Sequence, residues 1–377
     1  MESVGLMNFK DTLSAAFRGK TVLITGHTGF KGGWLALWLH SLGAKIVGYS
    51  LDPPTDPSFF QETGLKDLIT DIRSDILQKK KLDEVLEKFH PDFIFHLAAQ
   101  PLVRDSYKNP WATFNVNVMG TVNILEAIRQ SRYPTTCVCI TSDKCYENRE
   151  WVYAYRENDS LGGYDPYSAS KGAAEIAIAS YRKSFFNPDS KAPISAVSSA
   201  RAGNIIGGGD WAANRIVPDC IRSLAKDETI RIRNPEAIRP WQFVLDPLSG
   251  YLLLAARMIK NPNQYADSWN FGPNYSNNIT VQKIAEMVIR EWGTGSWEIA
   301  SPDENSVHEA GYLKLDIAKA MTKLEWKPVY GIDTAIQKTV EWYKQYCSGN
   351  KDMTTFSLNQ IREFADQADK KFYFDNP

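Results

Sequence analysis

Between Lys20 and about Arg201, short runs of β-branched and other apolar residues alternate with stretches of helical period. The strand candidates are Thr21–Thr25, Lys45–Ser50, Leu68–Ile72, Phe93–Leu97, Thr136–Thr141 and Ile194–Ala200. Between them, Leu82, Val85, Leu86 and Phe89 recur at i, i+3, i+4 and i+7, the stripe of an amphipathic helix, and Trp34–Leu42 is an apolar helix closed by Gly43. Strand and helix in regular alternation predict a doubly wound parallel sheet, a Rossmann-like α/β fold, over residues 1–201. Beyond Arg201 the pattern changes to a glycine run (Gly207, Gly208, Gly209), prolines at Pro218, Pro235, Pro240 and Pro247, and short strand candidates at Thr229–Arg233 and Gln242–Leu245. Val281–Trp292 reads as a helix capped by Thr280, and Thr354–Gln367 as a surface helix. Residues 202–377 are therefore expected to form a smaller, mixed α/β substrate lobe, with some segments returning to the first domain.

A chain of 377 residues with 43% hydrophobic and 12% aromatic residues has room for one or two domains and a large core, which excludes wholesale disorder. Its 43 Lys+Arg against 44 Asp+Glu offer no broad footprint for nucleic acid or an anionic membrane, so the expected partner is a small molecule. Five Cys without a C-x-x-C pair predict reduced thiols in a cytoplasmic setting and no metal site. Cys137 and Cys139 alternate on one strand and read as packing, and Cys145 lacks a base nearby in sequence. Lys79–Lys81 reads as the solvated face of a helix. Met1–Lys20 has no signal-type apolar region, and no apolar run approaches the ~20 residues of a membrane span.

Candidate chemistry begins where the first strand meets its helix. Gly26, Gly29 and Gly32 stand in Thr25-Gly26-His27-Thr28-Gly29-Phe30-Lys31-Gly32-Gly33. Glycine suits that place because a dinucleotide pyrophosphate must approach the backbone closely and rest on the helix N-terminus. His27 and Lys31 are expected to add positive character near the pyrophosphate. A carboxylate about 20 residues on should accept the ribose 2′-OH. Here Ser50 stands at the strand tip and Asp52 slightly beyond it, either as that acceptor or as the cap of the Pro53-Pro54 turn. No Arg follows the second strand to hold a 2′-phosphate, which favours NAD over NADP. Asp71, with Ile72 beside it, either accepts from the adenine amino group or is a turn carboxylate.

Of seventeen Tyr, only Tyr167 has Lys four residues later, Lys171. On a helix the two share a face, so the ammonium is expected to lower the phenol pKa and let it take a proton from a sugar hydroxyl. Asp165-Pro166 opens that helix, and the preceding strand ends in Thr141-Ser142-Asp143-Lys144. Ligands of open α/β sheets sit at the carboxyl ends of strands, so Ser142, Asp143 and Lys144 should face the crevice that holds Tyr167. A bare salt bridge between Asp143 and Lys144 is the plainer alternative.

The cradle, His96-Leu97-Ala98-Ala99 on the fourth strand, the strand-tip triad and Tyr-x-x-x-Lys together resemble extended short-chain dehydrogenase/reductases that act on nucleotide sugars. More narrowly, Gly26–Gly32, His96–Arg104, Thr141–Asn148, Asp165–Ser168, Arg201–Asn204 with the following Gly-Gly-Gly-Asp-Trp, and Ile238–Gln242 resemble the nucleotide-sugar 4,6-dehydratases, over about residues 18 to 345. The resemblance implies a lyase that oxidises C4 of a hexose with NAD, eliminates water across C5 and C6, and returns hydride to C6. It implies Tyr167 as the base at the C4 hydroxyl, Ser142 as a donor to the same oxygen, and Lys171 as their neighbour. The dTDP-sugar branch carries Asp-Glu where this chain has Asp143-Lys144, the form of the CDP-sugar branch, so CDP-glucose is the implied substrate. Asp143 is then the acid and Lys144 the C5 base, with the swapped assignment left open. Leu97, Ala98 and Ala99 are implied to line the cofactor, Gln100 and Arg104 to meet the hexose, and Asn204, Arg215 and Arg239 to hold the diphosphate, while Trp211 and Trp241 either stack on the ligand or pack in the core. Asn115 and Asn117 are expected to make structural hydrogen bonds. A homodimer or homotetramer and a place in bacterial O-antigen polysaccharide synthesis are also implied. A nucleotide-sugar 4-epimerase, a dehydratase acting on a dTDP- or GDP-hexose, and, more remotely, a non-catalytic NAD-binding sensor are the rival readings.

Overall fold

The computed structural model of the chain describes residues 8–187, 195–274, 277–300, 312–349 and 352–373. Seven parallel strands form its main sheet: β1 (Thr21–Thr25), β2 (Lys45–Ser50), β3 (Thr70–Arg73), β4 (Phe93–His96), β5 (Thr136–Ile140), β6 (Ala196–Arg201) and β7 (Ser268–Asn270). Their order is β3-β2-β1-β4-β5-β6-β7, so the direction of winding reverses between β1 and β4 and opens a crevice at the carboxyl ends there. The period of two along each strand divides the core between the two faces of the sheet. Val22, Ile24, Phe93, Phe95 and Val138 pack with the helices Phe30–Ser41, Leu245–Met258 and Ile332–Cys347. Leu23, Val47, Ile94, Cys137, Cys139 and Val197 pack on the other face with Lys79–Phe89, Gly120–Gln130 and Pro166–Ser184. Cys137 and Cys139 thus point the same way, their sulfurs 3.7 Å apart.

Several elements differ from expectation. The third strand starts at Thr70, because Gly64, at φ 56°, opens a one-turn helix that takes Leu68. Ile194 lies outside the described residues. Leu245 begins a helix instead of ending a strand; Leu245–Met258 is buried almost all round, which erases the amphipathic period that would have revealed it. The final helix, Met353–Tyr373, is not a surface helix. Met353, Ser357, Ile361, Phe364 and Ala368 form a buried stripe along it, Phe364 meets Trp38 edge-on at 5.7 Å, and Lys10 of the first helix, Phe9–Phe17, reaches Asp366 at 2.7 Å. The chain after Asn109 passes through Pro110–Phe114 and a π-helical turn, Asn115–Met119, into Gly120–Gln130. That turn delivers Asn117, which accepts from the Gln100 amide nitrogen at 2.8 Å and donates to Ser170 Oγ at 2.8 Å. Among the described residues no helix is long and apolar enough to cross a membrane.

Asp246, in the first turn of Leu245–Met258, is fully buried, and its Oδ1 accepts from the backbone of Val329 and Tyr330 while Oδ2 has no partner. Burial pushes its carboxyl up to about 7. A carboxyl raised on folding holds its proton more tightly in the folded state, so its contribution declines as pH climbs from about 4 to about 7. Asp246→Asn is therefore expected to gain on the wild type across that window by on the order of 2–4 kcal/mol and to run parallel above it. Thermal unfolding over a pH series reads the difference, and a constant offset would contradict the assignment.

Candidate active site

The glycine turn after β1 is shaped by three different constraints. Gly26 has φ +78°, and a Cβ there would stand 2.8 Å from the Ala98 nitrogen. Gly32 faces inward, where a Cβ would lie 2.1 Å from the Gly26 carbonyl oxygen. Gly29 precedes the helix Phe30–Ser41 with extended backbone, and a Cβ on it would meet only the Gly26 oxygen, at 3.4 Å. Tight turn, close helix packing and an open helix N-terminus are the three features that a dinucleotide pyrophosphate requires, so the residues present fit one. Leu97 and Ala98 border the turn, both amides donating to Thr25 Oγ1 at 3.1 Å, and Ala99 follows them.

Charges near the cradle fall differently from expectation. His27 is buried beneath β2, where a Cβ on Gly48 would touch its ring at 2.5 Å, and burial lowers its pKa despite a 2.8 Å contact with Asp71. It therefore brings no cation to the pyrophosphate. Asp71 lies within β3, not in a turn, and has both oxygens engaged, one by His27 and the other by Arg73 at 2.8 Å; Ile72 beside it is half-buried. Ser50 Oγ is paired with Thr28 Oγ1 at 2.8 Å, and Asp52 is exposed, 3.6 Å from Arg73. The absence of an Arg near the second strand tip needs correction: β3 lies beside β2, and Arg73 donates to the Leu51 carbonyl at 3.0 Å.

The groups expected to react converge from two elements. Asp165 caps the helix Pro166–Ser184, accepting from Ser168 N at 2.9 Å, which sets Tyr167 and Lys171 on its buried face. Ser142, Asp143 and Lys144 turn over the end of β5 in a short 3-10 turn, Asp143–Cys145. Ser142, Asp143, Lys144 and Tyr167 line one cleft of about 370 Å³. Ser142 lies close enough to the Tyr167 phenol to oppose the effect of burial on it. The buried Asp143 carboxylate accepts from Ser142 Oγ at 3.0 Å and from Asn204 Nδ2 at 3.1 Å. Gly203 makes room for it, since a Cβ there would stand 2.0 Å from Asp143 Oδ2. A buried carboxylate without such donors would cost several kcal/mol, of the order at which it takes up a proton instead.

Lys171 lies one helical turn behind the phenol, buried, and burial lowers it to about 8. Burial likewise pushes Tyr167 up to about 12, with Ser142 and Arg215 opposing and Asp143 assisting. The protein alone thus shifts the phenol opposite to the expected direction, because desolvation outweighs every cation near it. Lys31 turns away from the cradle into the cleft, 5.9 Å over the Tyr251 ring, and is lowered to about 7 by burial and then by Lys171 and Arg215.

Arg104, Asn204, Arg215 and Arg239 line the same cleft, Arg215 held by Asp210 at 2.8 Å, and Lys and Arg outnumber Asp around it. Phe30 and Trp241 also line it, whereas Trp211 packs against Tyr343 and Tyr346. Gln100 does not face the hexose region: its amide braces its own loop, donating to the Leu102 carbonyl and Thr113 Oγ1 at 3.0 Å. Arg231 and Arg233, absent from the sequence-based assignment, border the same cleft, and their alternation in Arg231-Ile232-Arg233 is the signal that could have found them. Cys145 is buried, and burial raises its thiol well above the usual range, so no nucleophile stands there.

Sheet order, glycine cradle and Tyr-x-x-x-Lys helix define an extended short-chain dehydrogenase/reductase. The chain belongs to the GDP-mannose 4,6 dehydratase family, which it matches over residues 23–339. It is 47% identical over 350 residues to a CDP-glucose 4,6-dehydratase of Salmonella typhimurium, covering 92% of this chain and 97% of that protein. Among solved structures, an epimerase of Methanothermobacter thermautotrophicus superposes with TM-score 0.75 at 20% identity, covering 94% of this chain and 97% of that one. A dTDP-glucose 4,6-dehydratase of Bacillus anthracis in complex with NAD gives 0.72 at 20% identity, covering 89% and 100%.

The glycines can be told apart by experiment. Gly32→Ala is expected to cost about 2–4 kcal/mol of stability, because rigid backbone stands in the way. Gly29→Ala should cost no more than about 1 kcal/mol, yet remove most of the rise in melting temperature that NAD gives the wild type. Thermal unfolding with and without NAD checks both, and the opposite ranking would contradict the roles assigned.

Proposed function

We propose that this chain is a CDP-glucose 4,6-dehydratase, converting CDP-glucose to CDP-4-keto-6-deoxyglucose and water. The observation that carries the reading is the convergence of Tyr167, Ser142, Asp143 and Lys144 on one cleft whose lining holds more Lys and Arg than Asp. The CDP preference is supported by the Salmonella relative and by Lys following Asp at the strand tip. The cradle of Gly26, Gly29 and Gly32 would hold NAD, which would supply the hydride acceptor and donor that the reaction needs.

Tyr167 takes the proton of the C4 hydroxyl, and Ser142, which lines the same cleft, donates to the same oxygen. Lys171, cationic below about pH 8, supplies positive charge one turn away. The C4 ketone acidifies the C5 hydrogen. Lys144, acting as the neutral amine, accepts that proton; Asp143, acting as the neutral acid, gives one to the C6 hydroxyl, which leaves as water; Lys144 returns its proton to C5 as C6 is reduced, and the proton that Tyr167 took restores Asp143. Asn204 orients Asp143 and borders the diphosphate, which Arg215 and Arg239 hold. Arg104 meets the hexose from the helix Val103–Lys108. The chain works in the cytoplasm as a homodimer or homotetramer, supported by the outward apolar side chains Trp111, Phe114, Met119 and Ile176 on two neighbouring helices, and feeds surface polysaccharide synthesis.

Incubation with CDP-glucose and NAD is expected to give a product lighter by one water, carrying solvent deuterium at C5 when run in heavy water. Unchanged mass with altered stereochemistry would mean a 4-epimerase, and unaltered substrate a sensor. Tyr167→Phe and Lys144→Met should each lose at least about 100-fold in turnover, and full dehydration by Lys144→Met would overturn the acid/base pair.

A further inference from the structure

Behind the cleft lies a buried ion pair that the chemistry above does not use. Glu175 stands one turn beyond Lys171 and two turns beyond Tyr167, so the three share a face of the helix Pro166–Ser184. Its Oε2 accepts from Arg201 Nη2 at 2.7 Å and Ser199 Oγ at 2.8 Å, and its Oε1 from Thr141 Oγ1 at 2.5 Å. Arg201 donates through Nη1 to the Tyr146 oxygen at 2.7 Å and the Glu157 carbonyl at 3.0 Å, and Tyr146 donates on to Asn270 Oδ1 at 2.7 Å. Both members of the pair are almost fully buried, at 2% and 3% exposure.

The contacts join the elements that supply the reacting groups. Thr141 and Tyr146 flank Ser142–Lys144, so the pair holds that segment at both ends. Arg201 ends β6 and leads directly into Gly203, beneath Asp143, and Asn204, hydrogen-bonded to it. Buried ion pairs gain little stability over apolar residues of similar size, because desolvation roughly cancels their attraction, whereas their directional bonds fix geometry. Resting on the dehydratase reading above, we propose that Glu175 and Arg201 are positioning residues of the reaction: they clamp the Ser142–Lys144 segment to the Tyr167 helix, and Glu175 presents a fixed negative charge to the Lys171 ammonium.

Electrostatics agrees with the geometry. Burial lowers Lys171, and Glu175 is the strongest influence opposing it, ahead of Cys145 and of Cys139 on β5. The other titratable groups facing Lys171 are Lys31, from the helix Phe30–Ser41, and His96 of β4, lowered to about 3 by burial and then by Lys171. Burial pushes the Glu175 carboxyl up, but Arg201, Thr141 and Ser199 together hold it below its ordinary value, so it stays charged. Without that charge, Lys171 gives up its proton at lower pH.

The test compares kcat and KM for CDP-glucose across pH in the NAD-loaded wild type, in Glu175→Gln and in Thr141→Val. Glu175→Gln is expected to lose about tenfold in kcat with KM within about twofold, since neither member of the pair lines the cleft, and to move the alkaline limb of kcat down by about one pH unit. Thr141→Val, which releases the segment but keeps the ion pair, should lose kcat without moving the limb. A folded Glu175→Gln protein with wild-type kcat and an unmoved limb overturns the proposal. Should Glu175→Gln not fold, Thr141→Val decides, and wild-type kcat there overturns it. The two possible failures separate cleanly: a wild type that leaves CDP-glucose intact removes the dehydratase reading itself, whereas a working wild type with unaffected variants removes only the clamp.

Discussion

The reaction centre depends on keeping a carboxylate dry at the tip of a parallel strand. Asp143 is buried, and the space that it fills exists only because residue 203 has no side chain. Ser142 and Asn204 supply the hydrogen bonds that replace water on its two oxygens. From this one accommodation the rest of the arrangement follows. The loop after β6 must run directly beneath the tip of β5, the Tyr167 helix must pack behind both, and the cleft must open between β5 and the segments beyond residue 201. The reversal of strand order between β1 and β4 places the cradle alongside, so the dinucleotide site and the reacting groups share one end of the sheet.

The cations near the centre are held in an unusual balance. Lys31 is pulled toward neutrality by burial and by the cations Lys171 and Arg215, Lys171 by burial against the opposing charge of Glu175, and the Tyr167 phenol is pushed away from ionisation by burial. The protein by itself therefore does not hold an ionised phenolate in readiness. Burial thus outweighs Ser142 and Arg215, the two groups that favour the ionised phenol. A phosphate-bearing substrate drawn to Arg215 and Arg239 would share that cleft with Lys31 and Lys144.

Much of the main sheet was legible because its strands are buried on both faces and so read as continuous apolar runs, Val22, Leu23 and Ile24 in one, Phe93, Ile94 and Phe95 in another. The helix Leu245–Met258 was not, because burial on every side removes the polar face by which helices are recognised. The strand Ser268–Asn270 is too short to carry a period of its own, and the stripe of Met353–Tyr373 is diluted by Ser357 and Gln360, polar residues buried by bonds to Trp342 and the Lys338 carbonyl. In the site, positions close to a strand tip were readable from topology, as with Ser142, Asp143 and Tyr167. Side-chain direction was not, so His27, Lys31 and Gln100 were each placed near the right element and aimed at the wrong neighbour. Arg73 was missed because the adjacency of β2 and β3 tips is a fact of sheet order, not of spacing along the chain.

The central claim is that oxidation, elimination and reduction happen to one hexose held in one place. Its most direct measurement follows a single label: CDP-glucose carrying deuterium at C4, turned over in ordinary water with unlabelled NAD. If the phenol, carboxylate and amine act around one bound sugar, the deuterium reappears at C6 of the same molecule. Label washed out into solvent, or still at C4 of a product that has lost water, would contradict the arrangement described.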